Sequence, residues 1–327
     1  MSKNSLNVIE ETQRNTELNP KEEKITKKEL AQAIFDRIWL QNPEKFIHNN
    51  SILEKEKQNL ILLLITKYLD LREKKVVDIG CGAGILSRKL RDLGAEVYAV
   101  DVSQNALKEL KKDEYDHITP LHDYVPNSLL PDDAYDLVVA TNLIADLDPS
   151  EYRMFFSELA RIVNSKGYVL CSTSIDINSE DALQLFADLA ATEFEFMEWN
   201  FCYHRLNIKI LKFFKAPLRF IKAWKDKKYR TKEISNRNYL YKFWFKINSR
   251  MPLVFLWYCL QYVTIPIVNY LEKNKFVATF LEKLSKFLWQ ESAISYAIFI
   301  GKRRSFTPQQ LKEGHQEEMK HKKQLWE

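Results

Sequence analysis

The chain has 327 residues, which at roughly 150 residues per domain points to about two domains, or one large domain with an insertion. Its 46% apolar content excludes wholesale disorder, and seven glycines and ten prolines exclude collagen-like or low-complexity architecture. Four widely spaced cysteines (Cys81, Cys171, Cys202, Cys259) without a C-x-x-C pair exclude a zinc ribbon or disulfide scaffold, no metal is expected, and a net charge of +5 has meaning only through its distribution.

Residues 1–26 are polar, have no apolar run of signal-peptide length and read as a disordered tail; with unpaired thiols this points to the cytoplasm. Apolar residues at three- and four-residue spacing predict helices over 27–40 and 51–70, the second capped by Ser51. From residue 75 the period changes. Short β-branched runs at 76–80, 95–100, 117–122, 135–141, 167–174 and 194–204 alternate with helical stretches, one opened by Ser103. That alternation predicts an α/β domain over 27–204, with a parallel sheet covered on both faces. About 85 residues without the alternation follow, and then ESAISYAIFIGKR (291–303) resumes a strand. A structureless loop of that length is improbable, so 205–290 reads as a helical insertion; 304–327 reads as a charged tail.

Three of the seven glycines, Gly80, Gly82 and Gly84, stand between a strand and a helix. Glycine permits a tight turn and the close approach of a ligand, and the following helix offers free N–H groups. Asp101 ends the next strand, where a carboxylate can accept both hydroxyls of a ribose. The dinucleotide fingerprint needs a small residue at position 85, where this chain has Ile85.

The pattern is instead D-x-G-x-G-x-G from Asp78, and DIGCGAGILSRKLRDLGAEVYAVDVSQNAL (78–107) resembles motif I of the class I S-adenosylmethionine-dependent methyltransferases, in tone the small-molecule and quinone-pathway O-methyltransferases. The resemblance covers about 60–204 and the last strand. It implies a Rossmann-like, seven-stranded doubly wound sheet with the helical insertion before the last strand. It implies that Gly80, Gly82 and Gly84 cradle the donor's methionine part while Asp78 orients the loop or the amino group. Asp101 would hold the ribose, Asp123 and Tyr124 would border the adenine, and Cys81, Val102, His122 and Thr141 complete the donor-binding set. Where many relatives carry Glu-His after the fourth strand, this chain has Ala145 and Asp146. The candidates for direct chemistry are Asp146, Asn142 and His204. Asp146 reads equally as a helix cap, and a lone histidine such as His204 is more often structural.

Residues 205–250 hold fifteen basic and two acidic side chains, interleaved with Phe213, Phe214, Phe220, Trp224, Tyr229, Tyr241, Phe243 and Trp244. The stretch 251–271 then runs 21 residues without a charge, long enough to cross a bilayer. A single crossing fails, because the chain must return to the same sheet and Pro266 interrupts the run. Two readings stay open: a helix in or re-entering an anionic membrane interface, through 205–271, or an internal core helix. The expected function is methyl transfer to oxygen or nitrogen of a lipophilic small molecule, with the insertion as lid or membrane contact at the inner face of a membrane. The alternatives are an RNA methyltransferase gripping phosphates with the basic segment, and a non-catalytic nucleotide-binding membrane adaptor.

Overall fold

The computed structural model describes residues 26–41, 51–112, 116–175, 182–235 and 237–304. Apart from Thr26 and Arg304, the two expected tails lie outside these residues.

The apolar runs form seven strands: β1 (Lys75–Ile79), β2 (Glu96–Asp101), β3 (Ile118–His122), β4 (Tyr135–Thr141), β5 (Val163–Ser174), β6 (Phe194–Cys202) and β7 (Tyr296–Arg303). They make one sheet of order β3-β2-β1-β4-β5-β7-β6. Neighbours from β3 to β5 pair in parallel, and β7 runs antiparallel between β5 and β6. The last strand begins at Tyr296 rather than at residue 291, because Gln290–Ala293 close a 3₁₀ turn.

Alternation along each strand sends side chains to two cores, as a sheet covered on both faces requires. Val77 and Ile79 join Phe155, Phe156 and Phe186 on one face, under α5 (Tyr152–Ile162) and α6 (Ala182–Ala191). Val76 joins Ile61, Leu64, Leu86 and Leu90 on the other, under α2 (Ile52–Tyr68) and α3 (Ile85–Asp92). Ser51 stands at the N-cap of α2 without a side-chain cap bond, whereas Ser103 caps α4 (Gln104–Leu110) by accepting from Ala106 N.

The first helix, α1 (Lys27–Gln41), docks across the strand ends beside α4. Asp36 holds it there: its carboxylate accepts from Ser103 Oγ at 2.7 Å and Asn105 N at 3.0 Å, and its carbonyl accepts from Asn105 Nδ2.

Between β6 and β7 the insertion folds as six helices: α7 (Arg205–Phe214), α8 (Ala216–Lys225), α9 (Lys227–Ile234), α10 (Tyr239–Asn248), α11 (Leu253–Lys273) and α12 (Lys275–Trp289). Its own small core is Phe220, Ala223 and Phe245, with Trp257 against them. Helix α11 packs on α8, α12 packs on α7, and both touch α2. The core-helix alternative for 251–271 does not hold, since only 11% of the most apolar window of α11 is buried.

Candidate functional site

The turn after β1 is built by its backbone. Gly80 N and Cys81 N both donate to Val100 O, at 2.8 and 3.0 Å, which fixes the turn against the end of β2. Gly80 and Gly82 have φ of +72° and +54°, a region that costs a side chain free energy. A Cβ on Gly80 would press Leu143 at 3.2 Å, and one on Gly82 would press the Trp39 ring at 3.2 Å. Both glycines line a cavity of about 660 Å³ at the carboxyl ends of the strands.

Asp101 lines the same cavity and braces the turn: Oδ2 accepts from Gly82 N at 2.9 Å and Oδ1 from Ser103 N at 2.8 Å. Burial pushes its carboxyl up to about 6 against the opposing pull of these two bonds. Asp78 lies beneath, buried, with Oδ2 accepting from Ser87 Oγ at 2.5 Å and Oδ1 without a hydrogen-bond partner. Its carboxyl also rises to about 6, chiefly through burial. Asp78 ties β1 to α3 and does not reach the cavity wall.

At the end of β3, Asp123 Oδ1 accepts from Tyr124 N at 2.8 Å and from Lys28 Nζ at 3.0 Å, and Oδ2 accepts from Leu129 N at 2.7 Å. Burial raises its carboxyl, and these bonds more than reverse that, holding it below the usual range. Tyr124 donates its hydroxyl to the buried Glu151 at 2.8 Å, and Lys27 stands 3.6 Å from the same carboxylate. Two lysines of α1 thus clamp the helix to the cavity rim.

The structure brings together Gly80, Cys81, Gly82, Asp101, Val102, Asp123, Tyr124, Thr141, Asn142 and Asp146 around one cavity. Three other expected donor contacts are placed elsewhere. Gly84, at φ +73°, is the N-cap of α3, a Cβ there would lie 2.1 Å from Leu110 Cδ1, and the residue does not line the cavity. His122 is exposed, its ring donates to Val102 O at 3.0 Å, and it lines a separate depression with Tyr98 and Leu121. Asp78 is the third, underneath the turn.

Of the three candidates for chemistry, Asn142 and Asp146 line the cavity and His204 does not. His204 caps the start of α7, buried beside Cys202 and Glu282, with its Nε2 3.7 Å from Glu282 Oε1. The ligand-type atoms of these three side chains lie within 4.8 Å of one another. Burial lowers the imidazole to about 4, so the ring is neutral. The helix-cap reading of Asp146 also fails, because the residue that caps is Asp148, accepting from Ser150 N at 2.9 Å. Asn142 sits at φ +60° with a buried Oδ1 that has no hydrogen-bond partner.

What the sequence reading missed is the cover. Leu30, Ala31, Ile34, Phe35 and Trp39 of α1 form an apolar wall, whereas among the described residues none from 205–290 lines the cavity. Among the described residues, the apolar side chains over the cavity thus come from α1 and not from the insertion expected there. The one sequence signal for α1 was the apolar stripe of helix 27–40. Six carboxylates and two lysines stand among the lining side chains, a field that favours a cationic ligand.

Comparison with known proteins adds four findings. A family model described as a methyltransferase domain matches residues 50–216. A ribosomal protein L11 methyltransferase of Campylobacter fetus is 32% identical over 136 residues, 41% of this chain and 48% of that protein. A ubiquinone biosynthesis O-methyltransferase of Nitrosomonas europaea is 32% identical over 130 residues, 37% of this chain and 51% of that protein. The chain spans about half the length of these curated relatives. Among solved structures, the N-methyltransferase NodS from Bradyrhizobium japonicum, in complex with S-adenosyl-L-homocysteine, aligns with a TM-score of 0.45 and 16% identity, over 53% of this chain and 90% of that one. The family match spans half of the chain and includes every cavity residue outside α1. By that match the chain belongs to the methyltransferase domain family, whose methyl donor is S-adenosylmethionine.

Proposed function

We propose that this chain moves a methyl group from S-adenosylmethionine to an oxygen or nitrogen of a lipophilic small molecule. The observation behind the reading is that one cavity joins the glycine turn and Asp101 to the apolar wall of α1. Relatives named for ubiquinone biosynthesis support an apolar acceptor, and relatives named for ribosomal protein L11 make a protein amine the alternative.

The cavity suits the donor on three counts. Any Cβ at Gly80 or Gly82 would press on Leu143 or Trp39 and tighten the turn. Asp101 keeps lone pairs beyond the two it shares with backbone N–H groups, enough to accept from two ribose hydroxyls. Acidic lining residues outnumber basic ones, which matches a sulfonium and an ammonium. The donor supplies an electrophilic methyl group with a neutral leaving group. What remains for the protein is to hold the acceptor in line, an effect that can supply many kcal/mol, and to take its proton. Asp146, in the 3₁₀ turn after β4, is the carboxylate assigned to that proton.

Asp146→Asn is expected to lower turnover on the order of a hundredfold, within the usual range for losing a general base, while calorimetric binding of S-adenosylhomocysteine stays intact. Unchanged turnover would remove Asp146 from the chemistry. Donor affinity is also expected to depend on pH. Ribose hydroxyls and a nearby cation stabilise the ionised carboxylate, so binding lowers the Asp101 value from about 6. Affinity should then rise with pH through that value, and proton release should be measurable in buffers of different ionisation enthalpy. A flat profile between pH 5 and 7.5 would contradict the carboxylate–ribose contact.

The acceptor class is tested by supplying a methyl-labelled donor with cell lipid extract, ribosomal protein or RNA in separate reactions. Label in the organic phase is the expected result. Label in protein or RNA replaces the lipophilic acceptor, and donor binding without any label supports a non-catalytic adaptor.

A further inference from the structure

Three helices of the insertion bury one face against the rest of the protein and leave apolar side chains exposed on another. In α12, which packs on α7 and α2, Ala278, Leu281 and Ser285 are buried, while Phe276, Phe280 and Phe287 are 81%, 56% and 80% exposed. Their spacing of four and seven residues makes one continuous outer stripe. In α11, Val254 and Val268 are buried, while Phe255, Tyr262 and Val263 are more than half exposed. In α10, Phe245 is buried, and Leu240, Phe243 and Ile247 are exposed at helical spacing. Scattered apolar residues are ordinary on a protein surface, but three such stripes on consecutive helices mark a binding face.

The surrounding charge selects the occupant. Lys222, Lys225, Lys227, Lys228, Lys246 and Arg250 are all exposed. A second copy of this chain would bring two strongly basic segments together, and a phosphate backbone leaves the phenyl and leucyl stripes uncovered. An anionic bilayer satisfies both features: phosphates for the lysines and acyl chains for the stripes. Helix α11 is long and apolar enough to cross a membrane, but Asn274 alone separates it from α12, which packs back on α7 and α2. A crossing would strand β7 on the wrong side of the bilayer.

We propose that α10, α11 and α12 dock this protein in the plane of an anionic lipid surface. The inference goes beyond methyl transfer and does not depend on it. Helix α2 touches both α11 and α12 and supplies Glu54, Lys57 and Gln58 to the cavity wall, so docking brings that wall toward lipid.

Flotation of the full chain tests the proposal, with vesicles of pure phosphatidylcholine and of phosphatidylcholine mixed with phosphatidylglycerol. Wild type should float with the mixed vesicles and more weakly at high salt. The triple variant Phe276→Ser, Phe280→Ser, Phe287→Ser should stay at the bottom. Lys227→Glu with Lys228→Glu should weaken binding to mixed vesicles by roughly fivefold or more per charge, since each surface cation contributes about 1 kcal/mol. Binding of S-adenosylhomocysteine should match wild type in every variant, which shows that each is folded. Wild type that floats with neither vesicle overturns docking, as does a triple variant that floats undiminished. A dimer that forms through these faces, or RNA capture without flotation, overturns it as well. Flotation without S-adenosylhomocysteine binding sinks the methyl-transfer reading and leaves docking standing.

Discussion

Replacing Asp101 with Ala is expected to weaken S-adenosylhomocysteine binding on the order of a hundredfold, measured by calorimetry. Hydrogen bonds to a charged group contribute about 1.5–3 kcal/mol each, and a ribose makes two to a carboxylate in this position. The same substitution removes the acceptors of Gly82 N and Ser103 N, so the glycine turn loses its brace as well as its ligand contact. Asp101→Asn should fall between the two. Its amide keeps one acceptor oxygen and loses the charge. Binding by the Ala variant at wild-type strength would remove the basis for placing the donor in this cavity.

The second large effect is expected at Gly84, and it separates two roles for glycine in one short loop. Gly84→Ala forces a side chain into φ +73°, which costs about 1–2 kcal/mol. It also sets a Cβ 2.1 Å from Cδ1 of Leu110, the buried last residue of α4, so overpacking adds about 1–3 kcal/mol. A total of about 3 kcal/mol corresponds to a fall in Tm of roughly 6–12 °C. Donor affinity of the folded protein should change little, because Gly84 does not line the cavity. Gly82→Ala should do the opposite, with affinity falling more than stability. If Gly84→Ala abolished donor binding at an unchanged Tm, the residue would be a cradle after all.

The parallel sheet and its glycine corner were legible because their causes are local. A strand buried on both faces needs a short continuous apolar run, and β2 and β4 each have one, while β1 is interrupted only by Asp78. A turn with positive φ needs glycine at the position concerned, and Gly80, Gly82 and Gly84 announce it. A carboxylate at a strand end lands at the carboxyl edge of the sheet whatever the rest of the chain does, and Asp101 does end β2. The boundaries of the insertion were legible for the same reason: periodicity stops after His204 and returns before Tyr296.

The cover of the site was decided elsewhere. Nothing near Lys27 or Lys28 shows that they will meet Glu151 and Asp123, or that Asp36 will meet Ser103 and Asn105. His204 and Asp146 both follow strands that end on the same edge, yet one turns away into a helix junction and the other faces the cavity. Helix α11 is apolar nearly all round in sequence, and which of its faces meets protein follows only from how α8 and α2 pack beneath it. Period and backbone conformation are set by neighbours in the chain, so the residues determined the strands, the glycine turn and the carboxylate at the end of β2. Which surface covers which is a competition among long-range contacts, and that competition alone put α1 over the cavity and left the aromatic stripes of the insertion bare.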